Sequence, residues 1–145
     1  NLQRITSISC IMRKKEHFTA GLSRLYELSQ KSPEHVSRMI KKYLGRTPTE
    51  WINELRLQYS ANLLIYTDQP VIDISMEAGF ENLSHYYHRF KRYYGSSPAQ
   101  FRKMNRKILI PWGKAKLRRI RKIVVLNQHL NIKENEIGAV RPFDF

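Results

Sequence analysis

Two histidines, His85 and His88, stand three residues apart, a spacing that is compatible with a shared metal ion on one turn of a helix. A metal site needs further ligands of suitable type, and the sequence offers no second pair nearby. Cys10 is the only cysteine, which excludes a disulfide framework and a thiolate cluster. The sequence also lacks a glycine-rich phosphate loop and a nucleophile–base set. We therefore expect no enzyme activity, no metal and no cofactor.

Basic side chains dominate the charge of the chain. Its 145 residues carry 26 Lys and Arg against 12 Asp and Glu, a net charge of +14. Residues 1–100 contribute +5 and residues 101–145 contribute +9, with the densest run at 114–122 (KAKLRRIRK). Such a surface attracts polyanions, nucleic acid above all, although charge alone provides no sequence specificity. No apolar run approaches the roughly 20 residues that cross a bilayer, so no membrane partner is expected.

The chain contains an internal repeat. Residues 41–51 (KKYLGRTPTEW) match residues 91–101 (KRYYGSSPAQF) at an offset of 50, with identity at the first, third, fifth and eighth positions. Each copy ends one helix with a glycine and begins the next with a capping box, in which a hydroxyl residue is followed three residues later by Glu or Gln. Two similar helical units are thereby predicted.

The helix before each repeated glycine has one apolar stripe. Ser32 is predicted to cap the first of these helices and Asn82 the second. Apolar and aromatic residues then recur at helical spacing, which is typical of a buried face. We predict that this face places the following residues in the core: Ile40, Tyr43, Tyr86, Phe90 and Tyr93.

A long helix is predicted between the two units, from Pro48 to Thr67, where Asp68 and Pro70 end it. Twenty helical residues span about 30 Å, close to the roughly 34–36 Å between successive major grooves on one face of B-DNA. A helix, a short turn and a second amphipathic helix form the helix-turn-helix arrangement. The duplicated unit, the connecting helix and the positive charge together favour duplex DNA as the ligand over an ordinary helical bundle.

Four segments resemble the DNA-binding domain of the AraC/XylS family of bacterial transcription regulators. They are 56–64 (RLQYSANLL), 72–80 (IDISMEAGF), 84–90 (SHYYHRF) and 91–98 (KRYYGSSP). The resemblance implies an all-α, homeodomain-like fold of about seven helices, with two helix-turn-helix subdomains joined by a long linker helix. The domain it implies covers residues 21–104, with subdomain one at 21–47, the linker helix at 48–67 and subdomain two at 70–104.

The same resemblance implies two recognition helices that enter successive major-groove segments of one asymmetric site. It places seven residues against the bases: Glu34, Ser37 and Arg38 in the first unit and Leu83, Ser84, Tyr87 and His88 in the second. These are also early helix positions that the apolar stripes do not use. Five cations are expected on phosphates, which position the protein without specifying sequence: Lys41, Lys42, Arg46, Lys91 and Arg92.

Three residues depart from the usual pattern of the family. Gln30 stands in the first turn where the family usually has glycine, Ile40 replaces a phenylalanine, and Ser60 replaces an alanine of the linker helix. Ile40 and Ser60 are sterically mild replacements. Gln30 stands where a turn glycine would set the entry into the first recognition helix.

The two ends of the chain lie outside the resemblance. Residues 1–20 are expected to be the end of a linker from an N-terminal domain that would sense a small-molecule effector or dimerise. Residues 105–145 form a basic C-terminal extension that could grip DNA or contact a protein partner such as RNA polymerase. The expected function is that of a sequence-specific double-stranded DNA-binding transcription regulator, an activator, in the bacterial cytoplasm at the nucleoid. The alternative is a basic architectural or RNA-binding protein driven by the extension.

Overall fold

The computed structural model describes residues 2–109, which form eight helices and no strand. The helices are α1 (Leu2–Met12), α2 (Lys15–Ala20), α3 (Leu22–Ser29), α4 (Pro33–Leu44), α5 (Pro48–Tyr66), α6 (Val71–Glu77), α7 (Leu83–Tyr94) and α8 (Pro98–Leu109). The all-α prediction is confirmed over this part of the chain, which has one helix more than the resemblance implied. None of these helices combines the length and the apolar character needed to cross a membrane. The basic run at 114–122, with the rest of the extension from residue 110 onward, lies outside the described residues.

Local signals in the sequence explain where the helices begin and end. The Ser32 hydroxyl accepts a hydrogen bond from the backbone amide of His35 at 3.3 Å, which caps α4. Thr47 and Glu50 form the predicted capping box at the start of α5, with hydrogen bonds of 3.2 and 2.9 Å. Gly45 ends α4 with a φ of 70°, a left-handed conformation that glycine adopts without steric cost. Helix α5 (Pro48–Tyr66) therefore matches the predicted linker helix, 48–67, to within one residue.

Two hydrophobic cores share α5. The first lies among α1, α3, α4 and the N-terminal half of α5, and Leu25, Val36 and Ile40 are almost completely buried in it. The second lies among the rest of α5 and helices α6, α7 and α8, and Tyr86 and Phe90 are completely buried there. Because both cores use α5, the linker helix is structural along its whole length.

Residues 2–20, predicted as the end of a linker, instead contribute to both cores. Ile5, Ile8 and Met12 of α1 are buried in the first core, and Phe18 of α2 is buried in the second. The three α1 residues recur at positions i, i+3 and i+7, which is the helical stripe of a buried face. The packed structure therefore includes residues on the N-terminal side of the boundary predicted at residue 21.

The predicted core residue Tyr93 lies on the surface, where its side chain is 42% exposed. Its neighbour Tyr94 packs against the core instead, with ring centroids 4.7 Å from Phe90 and 4.9 Å from Phe101. The reason is the position of α8, which begins beside Tyr94 and brings Phe101 onto that side of α7. Tyr93 accepts a hydrogen bond from the amide of Gln58 at 3.3 Å.

Arginines of α8 hold this helix against the C-terminal end of α5. Arg102 donates from Nε to the carbonyl of Leu64 at 3.1 Å. Arg106 donates to the carbonyl of Thr67 and forms an ion pair with Asp68 at 2.9 Å. Cations are favourable near the unpaired carbonyls at the end of a helix. The predicted boundary at 104 therefore falls inside α8, which continues to Leu109.

Candidate nucleic-acid interface

Helix α4 buries one face in the first core and exposes the other. Val36 and Ile40 are at most 1% exposed, and they fix the rotation of the helix about its axis. That rotation leaves the predicted base-contacting residues Glu34 and Arg38 exposed. The third, Ser37, is less accessible because it is half-buried. The first two turns of α4 thus present an acid and a base, one helical turn apart, on an exposed surface.

Helix α7 repeats this arrangement in the second unit. The Asn82 side chain accepts from the backbone amide of His85 at 3.0 Å and caps the helix. The four predicted base-contacting residues all lie on the exposed face: Leu83 (38% exposed), Ser84, Tyr87 (36% exposed) and His88. The structure therefore places an apolar, an aromatic and two polar side chains together on the outer surface of this helix.

Charge on the exposed face of α4 is mixed. Hydrogen bonds from its own backbone amide and from the Ser32 hydroxyl lower the pKa of Glu34, so this carboxylate is ionised at neutral pH. Arg38 and Lys42 line an open groove of about 240 Å³ together with Tyr43. The Lys42 ammonium lies 5.5 Å from the centre of the Tyr43 ring, a cation–π contact. The groove is thus lined both by Arg38, a predicted base contact, and by Lys42, a predicted phosphate contact.

Four of the five predicted phosphate-binding cations, Lys41, Lys42, Lys91 and Arg92, are exposed near the C-terminal ends of α4 and α7. Arg46 differs, because its guanidinium forms an ion pair with Glu54 of α5. Arg46 lies in the turn between α4 and α5, and Glu54 lies on the second turn of α5. Arg46 must give up or share this carboxylate to bind a phosphate.

The histidine pair of α7 is not arranged as a metal site. Arg89 donates from Nε to His85 Nε2 at 2.7 Å, which engages a nitrogen that could bind a metal. Burial, together with the charges of Arg89 and His88, lowers the pKa of His85, so its ring is a neutral acceptor. Among the described residues, no group of three or more His, Cys, Asp and Glu side chains could hold a metal ion.

Arg56 is the first residue of the 56–64 segment, and the sequence motifs assign it no role. It is half-buried in the middle of α5 and donates to the backbone carbonyls of Phe18 and Thr19. It also lines a cleft of about 410 Å³ beside Asn82 and His85, at the start of α7. The sequence feature that could have identified Arg56 is its position, because an arginine in a helix with two buried faces needs hydrogen-bond partners for its guanidinium.

Comparison with known proteins identifies the domain. A helix-turn-helix domain family matches residues 27–104, just over half of the chain. An HTH-type transcriptional regulator of Haemophilus influenzae is 34% identical over 82 residues, which are 57% of this chain and 28% of that protein. The HTH-type transcriptional activator RhaS of Enterobacter sp. is 31% identical over 90 residues, 61% of this chain and 32% of the relative. The match thus spans no more than a third of either relative.

A solved structure has the same fold. The DNA-binding domain of AdpA, crystallised in complex with a target DNA, superposes with a TM-score of 0.65 at 24% identity, covering 74% of this chain and 96% of that one. This likeness concerns the fold, whereas the match of residues 27–104 and the four motifs of residues 56–98 concern the family. The chain belongs to the AraC/XylS family of helix-turn-helix transcription regulators.

Proposed function

We propose that the chain binds double-stranded DNA at a specific sequence and regulates transcription, with α4 and α7 in successive major-groove segments of one asymmetric site. The observation that carries this proposal is the pair of equivalent helices, each capped at its N-terminus, buried on one face and exposed on the other. The 19 residues of α5 between them span about 28 Å, close to one turn of B-DNA. The family and the DNA-bound structure of AdpA support the same ligand.

Base recognition in the first unit depends mainly on Arg38. An exposed guanidinium early in the helix can donate to O6 and N7 of guanine, worth about 1–3 kcal/mol of discrimination. Glu34 is ionised and can accept from N4 of cytosine, once it releases the hydrogen bonds of its own helix terminus. Ser37 is half-buried, so we assign it the smallest share of the contact.

Recognition in the second unit combines apolar and polar contacts. Leu83 and the ring of Tyr87 can contact a thymine methyl group, while Ser84 and His88 can hydrogen-bond base edges. Lys91 and Arg92 lie farther along α7 and are placed to neutralise phosphates, as Lys41 and Lys42 are on α4. We expect Arg46 to contribute least of the five cations because it is paired with Glu54.

Selection of bound duplexes from a random pool tests the proposal. Enrichment of an asymmetric site with two boxes about ten base pairs apart supports it. Enrichment of one box alone contradicts the role of the second helix. Binding without enrichment would favour the alternative, a basic architectural or RNA-binding protein driven by the C-terminal extension.

Two substitutions separate base contacts from phosphate contacts. Arg38→Ala should weaken the selected site by about 1–3 kcal/mol and relax preference within one box. Lys91→Ala should weaken the selected and scrambled sequences about equally and reduce the slope of log affinity against log salt by about one. Equal losses on both sequences for Arg38→Ala would contradict its role in reading bases.

We further propose that the protein activates transcription through RNA polymerase and responds to a small-molecule effector bound by another domain. The name of the relative RhaS supports activation, and the short share of each relative that is matched supports a further domain. Its DNA ligand would place it at the nucleoid of the bacterial cytoplasm. Transcription from a promoter that carries the selected site, with and without the extension from residue 110, tests the contact with polymerase.

A further inference from the structure

Helix α2 is attached to the first unit by its sequence position and by a side-chain contact. Gly21 alone separates α2 from α3, and it is both the C-cap of α2 and the N-cap of α3. Arg24 of α3 donates from Nε to His17 Nδ1 at 2.9 Å. These connections tie α2 to α3, the helix that precedes α4.

Other residues of α2 contact the second unit. The Phe18 ring is 3% exposed and lies 5.3 Å from the Tyr59 ring in the second core. Lys15 forms an ion pair with Glu77 Oε1, at the end of α6, over 2.9 Å. The Tyr59 hydroxyl donates to the same oxygen at 2.8 Å, so one carboxylate oxygen joins α2, α5 and α6.

Backbone contacts reinforce these side-chain contacts. Arg56 donates from Nε to the carbonyl of Phe18 at 3.0 Å and from Nη2 to that of Thr19 at 3.1 Å. A Cβ atom on Gly79, in the turn between α6 and α7, would lie 3.1 Å from both Thr19 Cα and Arg56 Nε. This spacing is tighter than ordinary van der Waals contact, so the turn that leads into α7 rests directly on the last turn of α2.

The attachment matters because the two units otherwise meet mainly through α5. Within the described residues, the extensive contacts of α3 and α4 are with α1, α2, α5 and each other, and those of α7 are with α6 and α8. Two units that pack on opposite ends of one helix can still twist relative to each other. Direct contacts between the two units oppose that twist.

We propose that α2 is an inter-unit clamp that fixes the orientation of α4 relative to α7, and thereby the spacing of the two boxes that the protein binds. The effect on spacing rests on the proposed function. One added base pair rotates the second box by about 35° and moves it by about 3.4 Å. A protein with rigidly joined units resists that change, and a protein with loosely joined units accommodates it. The positioning residues are Lys15, Arg56 and Glu77.

A distance measurement without DNA tests the clamp directly. Spin labels are attached at Lys41→Cys on α4 and Lys91→Cys on α7, in a Cys10→Ser background of the full chain. Pulsed electron paramagnetic resonance then reports the distribution of distances between the two units. Lys15→Glu sets two carboxylates against each other and should broaden this distribution. The charge-swapped pair Lys15→Glu with Glu77→Lys restores opposite charges and should narrow it again. Lys103→Glu, an exposed residue of α8 outside the clamp, makes the same change in net charge and should leave it unaltered.

The second measurement, on unlabelled protein, is the ratio of affinities for the selected site and for the same site with one extra base pair. Lys15→Glu should lower this ratio about two- to fivefold, the range that a partly exposed ion pair contributes, and the charge swap should recover it. Lys103→Glu should keep the wild-type ratio. Circular dichroism verifies that every variant is folded.

The two measurements distinguish the two proposals. A Lys15→Glu distribution as narrow as that of Lys103→Glu overturns the clamp, whatever the DNA results are. A broadened distribution that the charge swap restores supports it. Wild-type protein that binds selected and scrambled DNA alike overturns the proposed function alone, because the distance measurement uses no DNA.

Discussion

Gln30 carries a conformational cost that a single substitution can remove. It follows the last residue of α3 with φ 51° and ψ 34°, and it is the one non-glycine residue with positive φ among residues 2–109. Its backbone amide donates to the carbonyl of Tyr26 at 3.1 Å, a bond that glycine also makes. Its side chain is exposed, so Gln30→Gly changes mainly the energy of the backbone.

The expected gain follows from two opposing terms. An L residue in the left-handed region costs roughly 1–2 kcal/mol, and glycine avoids this cost. Glycine loses more conformational entropy on folding, a penalty of roughly 0.5–1 kcal/mol. We therefore expect Gln30→Gly to raise the free energy of unfolding by about 0.5–1 kcal/mol, which raises Tm by about 2–8 °C for a domain of this size.

Urea and thermal unfolding, followed by far-ultraviolet circular dichroism, measure the effect. Gln58→Gly is the matched control, because Gln58 is exposed in the interior of α5, where glycine should lower stability by about 1 kcal/mol in addition to the loss of the exposed hydrogen bond to Tyr93. Because the two substitutions should change the free energy of unfolding in opposite directions, the pair distinguishes the effect of the left-handed conformation from the general cost of introducing glycine. A Gln30→Gly variant that is no more stable than the wild type would refute the argument from the left-handed conformation.

The same substitution should leave DNA recognition unchanged. The amide of Lys31 donates to the Ser29 hydroxyl at 3.3 Å, and Ser32 caps α4, so the start of this helix is set by residues on both sides of Gln30. The sequence enriched from a random pool should therefore be the same for Gln30→Gly and the wild type. A shift in the enriched sequence of the first box would show that the glutamine side chain itself orients α4.

Three further substitutions test the caps and the core. Thr47→Ala removes the hydroxyl of the α5 capping box and should lower the free energy of unfolding by about 1 kcal/mol, and Ser97→Ala tests the corresponding cap of α8 in the same urea titration. Burial raises the pKa of Tyr86 to about 12, so its contribution to stability is complete below pH 10 and is lost as the pH rises to 12. The stability of the wild type relative to Tyr86→Phe should accordingly fall by about 1 kcal/mol between pH 9 and pH 11, and a pH-independent difference would contradict this burial effect.

Features encoded within a few residues could be predicted from the sequence. The caps at Ser32 and Asn82 and the capping box of α5 depend on residues three apart, and each forms the predicted hydrogen bonds. The stops at Gly45 and Gly95 depend on one residue each, and both have positive φ. With both ends of α4 and α7 defined in this way, the apolar stripe determined which residues remain exposed.

Features that depend on distant residues could not be predicted in this way. The partners of Arg56 lie 37 and 38 residues away, at Thr19 and Phe18, and no local pattern connects them. The choice between Tyr93 and Tyr94 as the buried residue depends on where α8 packs against α7. The stripe of α1 was visible in the sequence, but its partner surface exists only once α3, α4 and α5 have packed together.

The two units bury equivalent positions and expose different chemistry. Val36 aligns with Tyr86 at the offset of 50, and both are completely buried. Arg38 aligns with His88 at the same offset, and both are exposed. Because bases are distinguished by the donors, acceptors and apolar groups that face them, a guanidinium and an imidazole at equivalent positions favour different base pairs. On the proposed function, an asymmetric site therefore follows from a duplicated fold, and enrichment of two identical boxes from a random pool would contradict the assignment of Arg38 and His88.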